Sequence, residues 1–182
     1  MRLFIAIPTP PHAEILGCLE ELAEAARTCV GLQVVPADNL HITLKFLGEV
    51  GSDQVPQIVT AMDRALAGQH GFDLALGRAG SFPGALWLQA KAAELAAMAQ
   101  RLEQELAVLG FEPEKRNYCP HLTLARLKPH SDFELQTWLQ QHRQQQLLQY
   151  SAAAVHLYQS VPVAGGVRYQ SLHCLRLSDT GV

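Results

Sequence analysis

The sequence predicts an α+β protein made of two related lobes, each a mainly antiparallel sheet with helices on its outside, around a central groove. The first observation is a repeated motif, HITL at 41–44 and HLTL at 121–124. The second is the order of elements, because in each half a helix begins about 10 residues after the histidine and a strand about 30 residues after it. A βαβ-type unit used twice indicates pseudo-twofold symmetry. We expect one bilobal domain over 1–182, with approximate lobes at 1–90 and 91–182 that can exchange strands.

Apolar periodicity defines the elements of the first half. β-Branched and aromatic residues at 2–7 are typical of a strand, and the prolines of the PTPPH segment that follows suit a helix start. Apolar residues at helical spacing predict one helix ended by Gly31 and another capped by Ser52 or Asp53. In order, the predicted elements are a strand at 2–7, a helix at 15–26, strands at 32–36 and 40–47, a helix at 55–66, and strands at 72–77 and 85–89.

The second half repeats this order. An apolar helical face ends at Gly110, and the strand that carries HLTL follows. The glutamines at 140–146 are read as the polar end of a helix. The predicted elements are a helix at 95–109, a strand at 119–127, a helix at 131–142, and strands at 153–160 and 168–177 joined by a turn at PVAGG.

The net charge, the N-terminal apolar run and the cysteine spacing each argue against a class of protein. A net charge of −3 lacks the broad basic surface of a protein that coats duplex DNA, so we expect no DNA partner. The apolar run LFIAI stops at Pro8 and is too short for a secretory signal or a membrane span, which indicates a cytoplasmic protein without membrane contact, expected to be a monomer. The cysteines show no C-x-x-C spacing, so neither a zinc ribbon nor a disulfide framework is expected; they are Cys18, Cys29, Cys119 and Cys174.

The repeated motif presents a polar pair on each strand. Residues two apart on a strand share a face, so His41 lies beside Thr43, and His121 beside Thr123, while the isoleucine and leucines between and after them face the core. Two opposed imidazoles suit displacement at phosphorus, with one accepting a proton and the other donating one. Threonine hydroxyls can hold the phosphate oxygens. A metal site fits less well, because each strand offers one histidine without a carboxylate beside it. No cofactor is expected.

The alternation of side chains along a strand also predicts which residues near the motifs face the groove and which face the core. Lys45 is predicted on the groove face as a second phosphate contact, with a solvated strand-end lysine as the alternative. Phe46 and Trp87 are predicted to pack in the core. Arg116 and Tyr118, just before the second histidine, are candidates for binding a sugar-phosphate or stacking on a base, with surface charge and a half-buried ring as the alternative.

Several segments together resemble one family. They are RLFIAIP, NLHITLKFLGEV, the FP and LW pairs at 82–87, LGFEPE, PHLTLAR, LYQS and RY, and they span nearly the whole chain. With its paired H-x-T motifs, the chain resembles the two-histidine (2H) phosphoesterases, and within them the RNA 2′,3′-cyclic phosphodiesterases, historically called 2′-5′ RNA ligases. The resemblance implies hydrolysis of a 2′,3′-cyclic phosphate at an RNA end to a 2′-phosphate without a metal, with reversible 2′-5′ ligation as a minor activity.

The resemblance also implies roles for single residues. His41 would be the general acid and His121 the general base, with Thr43 and Thr123 on the phosphate. Arg126 matches the arginine of PHxTLxR that contacts the phosphate in this family, but regular alternation places it on the opposite face from His121. The arginine therefore requires the strand to end or bulge before it.

Two other functions remain open. One is a cyclic phosphodiesterase for a small nucleotide, such as a cyclic phosphate of ADP-ribose or a 2′-5′ oligonucleotide. It is suggested by the short, neutral FPGALW segment, where relatives often carry a longer basic stretch. The other is a non-catalytic module that binds RNA or a nucleotide, which two titrating histidines argue against.

Overall fold

The computed structural model describes residues 1–143 and 146–178. This part of the chain contains four α-helices, nine strands and two short 3₁₀ helices, at Ala37–Asn39 and Ser52–Gln54. The helices are α1 (Ala13–Ala26), α2 (Val55–Ala65), α3 (Ala93–Ala107) and α4 (Leu135–Gln141). The strands are β1 (Arg2–Pro8), β2 (Leu32–Val34), β3 (His41–Glu49), β4 (Phe72–Phe82), β5 (Ala85–Lys91), β6 (His121–Leu127), β7 (Gln146–Ala152), β8 (Ala154–Val163) and β9 (Gly166–Arg176).

All nine strands form one sheet with antiparallel ladders. Eight of them follow the order β7-β4-β5-β6-β3-β1-β8-β9, and β2 pairs with β6. The two strands that carry the H-x-T motifs, β3 and β6, are neighbours at the centre. On each side of this centre, strands from both halves of the chain pair with one another. The predicted α+β class with a mainly antiparallel sheet is confirmed.

Helices cover one face of the central strands. α1 packs against β2, β6 and β7, while α3 packs against β3 and against α2. The residues of the two motifs that face these helices are at most 4 % exposed, and they are Ile42, Leu44, Leu122 and Leu124. On the opposite face the residues of the two motifs are only half-buried: His41, Thr43, His121 and Thr123. Burial of one face therefore fixes which side chains of these strands can meet a ligand.

Two helices do not reach the residues that were expected to stop or cap them. α1 ends at Ala26 rather than at Gly31, because Thr28 and Val30 are poor helix formers and the backbone tightens into bonds from Arg27 and Thr28 to the carbonyls three residues before them. α4 begins at Leu135, since the hydroxyl of Ser131 accepts the backbone N–H of Phe133 in a turn that precedes the helix.

β7 was not predicted from the sequence. The glutamine run was read as a helix end, yet α4 ends at Gln141 and β7 begins at Gln146. The strand forms because the long strand β4 offers it an antiparallel edge from Phe72 to Gly77. Pairing with β4 therefore overrides the weak local preference of glutamine. Residues 144 and 145 of the run lie outside the described residues.

In the part of the chain that the structure describes, none of the helices combines the length and the apolar character that crossing a membrane demands.

Candidate active site

The two histidines are held in the same way. The Nδ1–H of His41 donates to the carbonyl of Asn39 at 2.7 Å, and the Nδ1–H of His121 donates to the carbonyl of Cys119, also at 2.7 Å. A carbonyl can only accept, so each neutral ring carries its proton on Nδ1 and keeps the lone pair on Nε2. Both rings thus offer Nε2 for proton transfer.

Asn39 fixes the first of these carbonyls. Its side chain is buried, and its Nδ2 donates to the carbonyl of Val167 at 2.7 Å, which ties the segment before β3 to the start of β9. The sequence analysis did not select Asn39. The only signal available was its place two residues before the histidine of NLHITL.

The register of the central strands brings the two motifs together. Ile42 lies opposite Leu122 in the antiparallel pair β3 and β6. Counting one residue outward in each direction places His41 across from Thr123, and Thr43 across from His121. The four polar side chains therefore form one group on the open face, related by an approximate twofold axis between the strands.

Each motif strand carries a β-bulge one residue after its threonine. Ala6 and Ile5 of β1 face Thr43 and Lys45, which leaves Leu44 as an extra residue in β3. Trp87 and Leu86 of β5 face Thr123 and Ala125, which leaves Leu124 as an extra residue in β6. A bulge of this kind reverses the alternation of side chains beyond it.

The bulge in β6 resolves the difficulty with Arg126. Ala125 follows Leu124 into the buried face, and Arg126 is exposed on the open side. Burial lowers the pKa of both His41 and His121, and the positive charge of Arg126 acts in the same direction. The structure brings Arg126 to the two motifs, as the proposed phosphate contact requires.

The bulge in β3 overturns the parity prediction for Lys45. The side chain is buried on the helix face, where Nζ donates to Glu103 at 2.7 Å and to the carbonyl of Glu112 at 2.8 Å. The prediction that Lys45 lies in the groove is therefore wrong. Its physical role is an ion pair between β3 and α3 that also holds the segment leading towards His121.

The prediction for Phe46 is wrong for the same reason. Phe46 occupies the position in β3 that Arg126 occupies in β6, and its side chain is 59 % exposed. Trp87 is also not a core residue: it is half-buried, and its ring centroid lies 5.9 Å from that of His121. Both rings belong to the open face.

Aromatic rings surround each histidine. Phe4 and Tyr169 lie 4.9 Å and 5.0 Å from His41, while Phe82 lies 5.0 Å from His121, all measured between ring centroids. Phe4 and Tyr169 were not assigned to the site from the sequence. The RY segment of the family resemblance was the one available signal for Tyr169.

Tyr118 and Arg116 are not brought into the group of motif residues. The Tyr118 hydroxyl donates to the carbonyl of Thr43 at 3.0 Å, and burial raises the pKa of Tyr118. This hydroxyl therefore supports β3. Arg116 is exposed in the segment between α3 and β6, where its backbone N–H donates to the Glu114 carboxylate. A substrate contact by either residue stays a prediction.

Burial sets the protonation of the histidines. Burial lowers the pKa of His41 to about 4, and the charges of Arg126 and His121 act in the same direction, against the bond to Asn39. Burial also lowers the pKa of His121, with Arg126 adding to the effect and the bond to Cys119 opposing it. Both rings are therefore neutral at pH 7 in the free protein.

Among the described residues, no group of three or more His, Cys, Asp or Glu side chains is arranged so that it could hold a metal ion. What the site does present is two Nε2 atoms for proton transfer, two hydroxyl groups and one guanidinium. This set suits displacement at a phosphodiester.

Known proteins are similar to this chain in sequence and in fold. The sequence profile of the 2′-5′ RNA ligase superfamily matches residues 3–162. The chain belongs to the 2′-5′ RNA ligase superfamily. The resemblance to the two-histidine phosphoesterases that the sequence suggested is thereby confirmed.

Relatives within the superfamily include an RNA 2′,3′-cyclic phosphodiesterase of Methanocaldococcus jannaschii. It is 29 % identical over 178 residues, which cover 93 % of this chain and 97 % of the relative. The crystal structure of TT0787 from Thermus thermophilus aligns with a TM-score of 0.80 at 25 % identity and covers 100 % of both chains. That of Escherichia coli LigT complexed with 3′-AMP aligns with a TM-score of 0.78 at 28 % identity, covering 98 % of both chains. These alignments therefore extend well beyond the two motif strands and include the helices and the outer strands that the structure describes.

Proposed function

We propose that this protein hydrolyses 2′,3′-cyclic phosphate ends of RNA to 2′-phosphates, without a metal ion. The observation that carries the proposal is the pair of histidines on adjacent strands, each anchored through Nδ1 and each offering Nε2 on the same face. Relatives named RNA 2′,3′-cyclic phosphodiesterase support it. RNA rather than DNA is the substrate, because a 2′,3′-cyclic phosphate requires a 2′-oxygen.

The proposed reaction is one in-line displacement. Nε2 of His121 takes a proton from water as the water oxygen forms a bond to phosphorus. The bond from phosphorus to O3′ breaks, and Nε2–H of His41 gives its proton to O3′. The hydroxyls of Thr43 and Thr123 and the guanidinium of Arg126 stabilise the charge that develops on the non-bridging oxygens. Exchange with solvent then restores both histidines.

The proton on the acid comes from solvent, and the charge of the bound substrate favours its uptake. In the free protein both imidazoles are neutral, whereas the reaction requires one imidazolium. A bound phosphodiester brings a negative charge beside the rings and offsets the charge of Arg126, which raises the pKa of the histidine nearest to it. The proposed acid, His41, is therefore protonated on binding rather than beforehand.

A small cyclic-phosphate nucleotide is the second candidate substrate, and 2′-5′ ligation is the expected minor activity. The feature that favours a small or terminal substrate is the tight connection between β4 and β5. The turn contains only Pro83 and Gly84, and Gly84 has a φ of +81°, a conformation that favours glycine. This turn carries no basic side chain that could hold a long RNA.

The test compares a nucleoside 2′,3′-cyclic phosphate with an oligonucleotide that ends in one, both in the presence of EDTA. We expect both to be opened to the 2′-phosphate, with the product identified by chromatography against 2′- and 3′-phosphate standards. Dependence on added metal would contradict the mechanism, and a 3′-phosphate product would reverse its regiochemistry. Turnover of the mononucleotide alone would identify the second candidate as the substrate.

A further inference from the structure

The strand pairing places a glutamine directly beside the second motif histidine. Gln89 of β5 lies opposite His121 of β6, next to the pair of Leu88 with Leu122. Leu88 and Leu122 are both at 0 % exposure, on the covered face of the sheet. Because successive side chains of a strand alternate, Gln89 and His121 share the open face. Side chains directly opposite in an antiparallel pair have Cβ atoms about 4.5–5.5 Å apart, so the Gln89 amide is within reach of the His121 ring.

The amide of Gln89 is available to a ligand. The side chain is half-buried, and no hydrogen bond among the described residues uses its oxygen or its NH₂ group. An amide oxygen accepts hydrogen bonds, and an amide NH₂ group donates them. Gln89 can therefore bind a small polar group that stands beside the His121 ring.

The equivalent place beside the first motif histidine has no such group. Pro8 of β1 lies opposite His41 of β3, and a proline side chain can neither donate nor accept a hydrogen bond. The approximate twofold symmetry of the motifs therefore ends at their outer neighbours, where an amide flanks His121 and a pyrrolidine ring flanks His41. The two histidines thus differ in what can be held beside them.

The proposed reaction gives this difference a chemical meaning. The leaving O3′ stays attached to the ribose and needs one proton, which comes from His41. The attacking water stands on the side of His121 and has two O–H groups, of which Nε2 of His121 accepts one. The second O–H requires another acceptor, and the amide oxygen of Gln89 is within reach for that bond. An alcohol has a single O–H, which the base takes, so an alcohol gains nothing from this acceptor.

We propose that Gln89 selects water over an alcohol as the attacking group, by accepting the second O–H of the water that His121 deprotonates. The inference rests on the proposed function and assigns its specificity for the nucleophile. Gln89 holds the water oxygen in line with the bond from phosphorus to O3′. A ribose 5′-hydroxyl lacks the second O–H, which accords with 2′-5′ ligation as the expected minor activity.

The test lets water and methanol compete for one nucleoside 2′,3′-cyclic phosphate, in buffer that contains methanol and EDTA. Water gives the 2′-phosphate. In methanolysis the methanol oxygen bonds to phosphorus, its proton passes to His121, and O3′ leaves with a proton from His41, which gives the methyl ester of the 2′-phosphate. Chromatography measures both products of a single reaction. Their ratio cancels changes in substrate affinity and in the folded fraction.

Gln89→Met keeps the length of the side chain and removes the acceptor. The ratio of hydrolysis to methanolysis should fall about fivefold, the scale of one net hydrogen bond, while methanolysis itself continues. Gln89→Glu should keep the wild-type ratio, because a carboxylate still accepts the O–H. Gln170→Met is the matched control, since Gln170 is exposed on β9 at the far edge of the sheet, and it should also keep the ratio.

The outcomes separate the inference from the proposed function. An unchanged product ratio in Gln89→Met, or an equal fall in Gln89→Glu or Gln170→Met, would overturn the inference and leave the proposed function in place. If Gln89→Met does not fold, Gln89→Asn replaces it, because its shorter side chain withdraws the amide oxygen and should lower the ratio in the same way. If the wild type opens no cyclic phosphate with either nucleophile, the proposed function is overturned and the inference with it.

Discussion

At the scale of single residues, the anchoring of the histidines decides what the site can do. A backbone carbonyl two residues before each ring fixes the tautomer, as seen for His41 with Asn39 and for His121 with Cys119. The sequence alone could place His41 and His121 on one face, because that follows from the period of a strand. It could not predict their tautomer or their lowered pKa values, which depend on burial by rings distant in sequence, such as Tyr169.

The lowered pKa values predict an acid-shifted pH profile. In the reactive form one of the two histidines is an imidazolium and the other is a neutral imidazole. This form is lost as the pH rises through the pKa of the imidazolium, which lies below the ordinary 6.5 of imidazole. We therefore expect kcat/KM to decline on the alkaline side of a bell whose maximum lies below pH 6.5. Arg126→Gln removes a charge that lowers both pKa values, so its alkaline limb should move upward while kcat/KM at the optimum falls.

The control for this profile is Arg27→Gln, because Arg27 is exposed and paired with Glu24 on α1. It should reproduce the wild-type curve. A wild-type alkaline limb above pH 6.5, or a limb unmoved in Arg126→Gln, would contradict the assigned electrostatics.

Lys45 provides a second prediction at this scale. Lys45→Ala leaves Glu103 and the carbonyl of Glu112 without their partner, so the free energy of unfolding should fall by about 2 kcal/mol. KM for a cyclic phosphate should stay at its wild-type value, because the side chain lies on the face opposite the motifs. Urea unfolding and steady-state kinetics measure the two quantities. A tenfold rise in KM with unchanged stability would restore Lys45 as a phosphate contact.

At the scale of elements, most helices and strands could be predicted, because their apolar periodicity agrees with the faces they bury. The bulges at Leu44 and Leu124 could not, since no glycine or other local signal marks them within HITLKF or HLTLAR. Each bulge moves one buried side chain to the open face and one open side chain to the core. A regular alternation therefore failed for Lys45 and Phe46, and only the family resemblance led to Arg126.

The contact between β4 and β5 beside His121 gives a prediction for an element. Gly80 faces Trp87, and a Cβ at this position would overlap the indole ring. Gly80→Ala should lower the free energy of unfolding by about 1–3 kcal/mol, as overpacking does. Gly17→Ala is the matched control, because nothing lies near Gly17 on the exposed side of α1, and it should stabilise the protein by about 0.5–1 kcal/mol. Equal thermal shifts for the two variants would contradict the assigned contact.

At the scale of the whole molecule, the central pairing of β3 with β6 relates the two halves of the chain. On one side of this pair, β3 is followed outward by β1, β8 and β9. On the other side, β6 is followed outward by β5, β4 and β7. We propose that the chain is a single bilobal domain whose lobes exchange strands, since β8 and β9 pair beside β1 while β7 pairs with β4. The repeat could be predicted from the two motifs, and strand exchange between the lobes was expected as a possibility of that repeat. Which strands pair across the two halves could not be predicted, because long-range pairing leaves no local signal.

The central claim is that His41 and His121 act as one acid/base pair. The most direct measurement is kcat for a nucleoside 2′,3′-cyclic phosphate in EDTA, for His41→Ala, His121→Ala and the double variant, with His130→Ala as an exposed control. Each single variant should lose at least about 10²-fold, and the double variant should be about as slow as the slower single variant, because the two groups serve one step. His130→Ala should match the wild type. Full activity in either His41→Ala or His121→Ala, with the fold intact by thermal unfolding, would contradict the account.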